Sequence, residues 1–188
     1  MASDTMTLPD LALPDTDGIT RHLSEFTSSG PAVLVYARGA NCPFCLRQLS
    51  DYAEHYGSFK SAGLEVFALS PESHRKSRRL RTGLKLPFTV LSDTRFDVAK
   101  NLGLMDHERP GLPTPATVML DPGHRVLLST LNDGTKSLLA RDMLEYGRAV
   151  KQETSGASLP PPPQVHEHRP GPLFLRAIFN IATGLING

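Results

Sequence analysis

Val33–Gln48 reads VLVYARGANCPFCLRQ and holds both cysteines of the chain, Cys42 and Cys45. With Ala32 it opens on a continuous apolar run, Ala32–Ala37 (AVLVYA), of strand length and partly β-branched, which predicts a buried central strand. Past the cysteines, Leu46, Leu49, Tyr52, Tyr56 and Phe59 recur at spacings of three and four, as on an amphipathic helix. Gly63 stands where a helix stop is expected. The thiol pair thus falls where a strand hands over to a helix, with Cys42 just before the helix and Cys45 one turn inside it. A helix start offers free N–H groups and a partial positive charge, and both stabilise a thiolate. Pro43 suits the first helical position, where its missing N–H is not needed. Residues three apart on a helix lie about 5 Å from each other, within the Cα range of a disulfide. Helix-end physics therefore favours Cys42 as the exposed nucleophile and Cys45 as the shielded resolving thiol. Arg38 and Arg47 flank the pair and either add positive potential or remain solvated.

Other uses of two thiols fare worse. A zinc site takes about four ligands, yet no second cysteine pair exists and the seven histidines are scattered. No metal site is expected. Two inert cysteines leave the strand-before, helix-after context unexplained.

Working outward, Ile19–His22 reads as a short strand and Leu23–Phe26 as a helical turn. Leu64–Leu69 (LEVFAL) is a second buried strand. Ser70–Pro71–Glu72 predicts a helix start, with Ser70 as cap and Pro71 in the first turn, running to about Thr82. Phe88–Leu91 is a third strand, followed by a short helix over Arg95–Leu102. The loop Arg109–Pro115 (RPGLPTP) leads into the strand Ala116–Asp121, and Pro122–Gly123 turns it into Arg125–Thr130. Ser137–Lys151 is the last helix of this unit. Strands alternating with helices and closing on a hairpin predict an α/β fold, a mixed sheet of about five strands flanked by helices.

Residues 1–151 form the expected domain. Residues 152–172 form a Pro-rich linker, whose four consecutive prolines, Pro160–Pro163, favour an extended spacer. Residues 173–188 carry Phe174, Ile178, Ile181 and Leu185 at helical spacing, a short amphipathic helix that would pack on its own domain, on a homodimer partner, or on a membrane surface or docking protein.

Hydrophobic residues make up 39% of the chain and charged residues 21%, at a net charge of +1, which suits a globular protein and gives no reason to expect nucleic acid. No apolar run approaches the ~20 residues of a transmembrane helix, and MASDTMTLPD lacks the pattern of a secretory signal. A cytoplasmic location is expected, where two close thiols point to reversible chemistry before structural bridging. Ser73–Arg81 (SHRKSRRLR) holds five basic residues and His74. It reads as a solvated helix face before a phosphate or nucleic-acid patch, since no aromatics are interleaved to stack bases.

The order of strand, Cys-x-x-Cys, helix, strand and helix resembles the thioredoxin fold superfamily. Within it, Leu64–Ser70 (LEVFALS), Leu86–Asp93 (LPFTVLSD) and Arg38–Arg47 (RGANCPFCLR) are similar to segments of the peroxiredoxin (AhpC/TSA) family. The resemblance runs from about Leu8 to Val150. Typical members carry Pro-x-x-x-Thr-x-x-Cys with the peroxide-reactive cysteine last. Laid over this chain, Cys45 takes that cysteine's place, Cys42 the threonine's and Arg38 the proline's. The family's later active-site arginine corresponds to Pro115. Thr114–Pro115 instead resembles the cis-proline that faces the Cys-x-x-Cys of thioredoxins.

The resemblance implies a thiol peroxidase that cycles Cys42 and Cys45 through sulfenic acid and disulfide. It would need no cofactor and would be reduced by an external thiol, thioredoxin-like or of low molecular weight. Arg38, Pro43, Thr114 and Pro115 would border the substrate. Two alternatives stay open: a thioredoxin-like protein thiol-disulfide oxidoreductase, and a redox-switched binding protein that uses the C-terminal segment.

Overall fold

The structure, a computed structural model, describes residues 6–106, 111–132, 136–152 and 159–167. A five-stranded sheet is built around the apolar run, which forms β3 (Ala32–Tyr36), buried along its whole length. On one side β3 runs parallel to β4 (Glu65–Ser70), and β4 parallel to β5 (Val90–Ser92). On the other it is antiparallel to β6 (Ala116–Leu120), which pairs with the edge strand β7 (Val126–Leu131). The order is β5-β4-β3-β6-β7. The amino-terminal hairpin of β1 (Ala12–Pro14) and β2 (Thr20–His22) and the turn of helix α1 (Ser24–Thr27) precede it.

Side chains two apart on a strand share a face, and β3 splits the core accordingly. Val33 and Val35 join Val66 and Ala68 against α2 (Pro43–Ser61), α3 (His74–Leu84) and α5 (Ala140–Gln152). Leu34 and Tyr36 join Phe67 and Leu69 against α4 (Asp97–Asn101) and Phe26. Each large apolar side chain so buried contributes roughly 1.5–3 kcal/mol. Tyr36, the last residue of β3, is in register with Leu69 and Ala116. The loop that follows therefore emerges where β4 ends and β6 begins, and the cysteines are delivered there.

The α/β class and the central sheet agree with the sequence expectation. Three local readings do not. Ser70 does not cap a helix; it is the last residue of β4, in register with Ser92, and its hydroxyl accepts the Glu72 N–H at 3.2 Å. The cap falls at Ser73, in extended backbone, and α3 runs past Thr82 until Lys85 enters the left-handed region at φ 52°. The last helix begins at Ala140, whose N–H is capped by Asp51 Oδ2 at 2.7 Å, because Lys136–Ser137 is drawn off as strand β8. Its partner is β9 (His166–Glu167). The proline run thus doubles back beside α5, and His166 Nε2 lies 3.3 Å from Asp142 Oδ2. Over residues 159–167, the described part of the stretch expected as a linker, the chain lies along its own domain. Residues 173–188 lie outside the described residues.

Candidate active site

Cys42 is the N-cap of α2, with Pro43 in the first turn. Its N–H donates to the Gly39 carbonyl at 3.2 Å and its carbonyl accepts from Leu46 at 3.0 Å, so the thiol-bearing residue is locked into the helix start. Its Sγ accepts the Cys45 N–H at 3.3 Å, one of the free donors of the first turn. Cys45 Sγ accepts the Arg38 N–H at 3.4 Å. The two sulfurs form a disulfide across a Cα–Cα distance of 5.2 Å. The environments differ sharply. Cys45 is only 2% exposed, packed among Leu46, Leu49 and Val35, while Cys42 is half-buried and opens to a cleft.

That cleft has a volume of about 530 Å³ and is lined by Arg38, Cys42, Phe44, Glu72, Phe96 and Leu112 among others. Phe44 and Leu112 are 46% and 40% exposed, so the rim beside Cys42 is apolar and open. Its wall is fixed by Glu72, whose Oε2 accepts the Ala40 N–H at 3.0 Å. Gly39 makes that approach feasible: its φ is 131°, and a Cβ there would stand 3.0 Å from the Glu72 carboxyl carbon. The Arg38 side chain donates from Nε to the Pro113 carbonyl at 3.2 Å, with its guanidinium 3.7 Å from Asp106 Oδ2.

Of the residues expected at the site, Cys42, Cys45, Pro43 and Arg38 come together at the start of α2. The 114–115 pair takes another form. No peptide bond among the described residues is cis, so the cis-proline resemblance of Thr114–Pro115 is not met. Thr114 N–H donates to Leu104 at 2.6 Å and the Pro115 carbonyl accepts from Asn132 at 2.8 Å. Both backbones are committed to holding the strand entry, and it is the carbonyl of Pro113 that meets Arg38.

Beneath Cys45, one turn on, Gln48 is buried. Its Nε2 donates to Thr117 Oγ1 at 2.7 Å and its Oε1 accepts from Asn132 at 2.9 Å, fastening α2 to β6. Arg47 is also buried, with its guanidinium 5.9 Å from the centre of the Phe44 ring, and burial pushes its pKa down against the opposing charge of Asp51. Sequence reasoning missed Glu72, Leu112 and Phe96, which reach the cleft from separate loops. Gly39 was the one local sign that something approaches closely there. Among the described residues no group of three His, Cys, Asp or Glu side chains could hold a metal ion, and no helix is long and apolar enough to cross a membrane.

A strand in mid-sheet that feeds a disulfide at the start of a long helix, two parallel strands on one side and an antiparallel hairpin on the other, define a thioredoxin-like fold. The chain belongs to the AhpC/TSA family, whose model matches residues 5–128. It is 33% identical over 113 residues to the chloroplastic peroxiredoxin Q of Triticum aestivum, covering 60% of this chain and 52% of that one. It is 28% identical over 104 residues to peroxiredoxin bcp1 of Schizosaccharomyces pombe, covering 55% and 52%. The chain spans about half the length of these curated relatives. In fold it is similar to peroxidoxin BcpB of Mycobacterium tuberculosis, with a TM-score of 0.68 at 21% identity over 81% of this chain and 97% of that one. Enterococcus faecalis AhpC gives 0.72 at 17% identity, over 83% and 98%.

Proposed function

We propose that the chain is a thiol peroxidase that reduces hydrogen peroxide or organic hydroperoxides with the Cys42/Cys45 pair. The observation that carries the reading is a disulfide at the start of α2 with one sulfur opening to a cleft and the other buried. In the reduced state the Cys42 thiolate is stabilised by the Cys45 N–H and the helix start. Its sulfur attacks the peroxide: an S–O bond forms, the O–O bond breaks, and the leaving alkoxide or hydroxide takes a proton. Cys42 is then a sulfenic acid, oxidised by two electrons. The Cys45 sulfur attacks that sulfenic sulfur, the S–S bond forms and water leaves. Two thiols of an external reductant return two electrons and two protons. No cofactor enters; Pro43 starts the helix that carries the pair, Arg38 lines the cleft, and Thr114 and Pro115 act from the entry of β6.

The family alignment would instead give Cys45 the first attack. Rapid mixing of the reduced protein with hydrogen peroxide and an organic hydroperoxide, for wild type, Cys42→Ser and Cys45→Ser, separates the assignments. Cys45→Ser is expected to react fast and stop at sulfenic acid, read by mass. Reaction no faster than a free thiol in all three proteins rules the peroxidase out.

Exchange with protein disulfides is the second reading. It is favoured by the apolar rim of Phe44 and Leu112 beside Cys42, and by Cys42 and Pro115 standing where the family keeps its threonine and arginine. An insulin reduction assay decides it. A cytoplasmic setting is proposed because the pair must be re-reduced to work. The homodimer and redox-switched binding readings rest on residues 173–188, outside the described residues, and sedimentation of chains with and without them tests both.

A further inference from the structure

Helix α3 carries charge that the rest of the fold does not use. Between Ser73 and Ser92 there are six lysines and arginines and no acid, while the whole chain has a net charge of only +1. The remainder is therefore acidic, and the positive charge is gathered on one element. Two of the six are engaged with the turn after β1. Arg78 reaches the Thr16 carbonyl at 2.8 Å and Asp17 at 3.1 Å, and Arg81 reaches Thr16 Oγ1 at 3.3 Å. Arg75, Lys76, Arg79 and Lys85 are exposed, and none forms an ion pair with a described residue. Arg75 and Lys76 stand in the first turn, which has no acid. There they oppose the helix dipole.

The helix begins where the cleft ends. Pro71 and Glu72 line the cleft, Glu72 holds Ala40 two residues before Cys42, and Arg75 follows Glu72 by three. A protein partner covers about 800 Å² of each surface, a patch of about 16 Å radius. A protein that brings a thiol to Cys42 covers Phe44 and, with a patch of that size, reaches toward the start of α3, which follows the cleft residues Pro71 and Glu72. A small thiol does not. The exposed face of α3 has no large apolar side chain to enter a membrane and no aromatic to stack a base, so charge alone is its means of recognition.

We infer that the exposed basic face of α3 is the docking rim for the reductant, and that the reductant is a protein dithiol with an acidic surface around its reactive cysteine. The inference rests on the reading that Cys42–Cys45 is re-reduced in turnover. One partner thiolate attacks Cys42 Sγ, the Cys42–Cys45 bond breaks, and Cys45 leaves as a thiolate that takes a proton. The partner's second thiol then attacks its own mixed-disulfide sulfur and releases Cys42. The partner is oxidised to a disulfide, and this chain is reduced by two electrons.

The test is stopped-flow reduction of the oxidised full chain by a thioredoxin of net negative charge and, separately, by dithiothreitol. Wild type is compared with the combined Arg75→Glu, Lys76→Glu, Arg79→Glu variant. The variant is expected to lose about tenfold or more in rate with the acidic thioredoxin at low salt, to lose the salt dependence of wild type, and to match wild type with dithiothreitol. Equal rates with thioredoxin overturn the inference. So does an equal loss with both reductants, or unchanged rates accompanied by loss of binding to phosphatidylglycerol vesicles or to an RNA oligonucleotide. Neither reductant assay contains peroxide, so failure of the peroxidase reading shows only in the peroxide mixing experiment.

Discussion

The Tyr36 hydroxyl donates to Asp93 Oδ2 at 2.9 Å, across 57 positions of sequence. Asp93 also accepts the N–H groups of Val98 and Ala99, so one carboxylate ties the end of β3 to the start of α4. Burial, and then the Asp93 charge and hydrogen bond, push the Tyr36 hydroxyl pKa far up, which keeps it a donor at any physiological pH. Tyr36→Phe is expected to cost about 1.5–3 kcal/mol, the range for a hydrogen bond to a charged group. Asp93→Ala, which strands three donors, should cost more. Urea denaturation of both variants measures the order.

Glu72 is expected to set the shape of the cleft rather than the stability of the fold. Glu72→Ala frees the Ala40 N–H and relaxes the loop before Cys42, while Glu72→Gln keeps an acceptor. The alanine variant should slow both disulfide formation and re-reduction several-fold, about 1 kcal/mol in barrier, with a melting temperature close to wild type. The glutamine variant should recover most of the rate.

Gly147, inside α5, sits on the core with Leu64 and Met119 beneath it, and a Cβ there would come 3.0 Å from Met119 Cε. Alanine gains about 1 kcal/mol in helix propensity, but overpacking a filled core costs about 1–3 kcal/mol. Packing wins because Leu64 and Met119 are themselves fully buried. Gly147→Ala should therefore lower the urea midpoint, against the usual trend for a helix glycine.

Asp51 gives a pH signature. Burial raises its pKa, against the Ala140 N–H and His55, which lower it; Asp142 adds to the rise and Arg141 opposes it. With the folded pKa above the unfolded one, the native state binds more protons between the two values. The Asp51 contribution is thus fully present below the unfolded pKa and is lost as pH rises through the folded one. Asp51→Asn keeps the cap on Ala140 without the charge, so its stability relative to wild type should improve from acidic to neutral pH. Denaturation midpoints on both sides of that window check the sign.

How much of this could be read from the sequence follows from range. The apolar run, the period-four stripe after Cys45 and Pro43 are local signals, and they located β3, α2 and the cysteines together. Asp93 was legible only as part of a familiar segment, and its contacts give that aspartate a structural reason to be there. Ser70 misled because a serine before a proline reads as a cap, whereas pairing with Ser92 holds it in the sheet. The cleft wall was hidden because Gly39 and Glu72 are far apart in sequence and meet only when β3 and β4 pair. Nothing local in the proline run announces that Ser137 and His166 will pair.

The disulfide closes a loop of only three positions, inside a helix that already holds the two Cα atoms 5.2 Å apart. Cross-linking so short a loop restricts the unfolded chain by roughly 2 kcal/mol. The covalent record of oxidation in VLVYARGANCPFCLRQ is therefore confined to one helical turn. Because the link acts on the unfolded chain, exchange that needs global opening should be slower in the oxidised protein, whereas a partner reads the bond locally, at the rim beside Phe44.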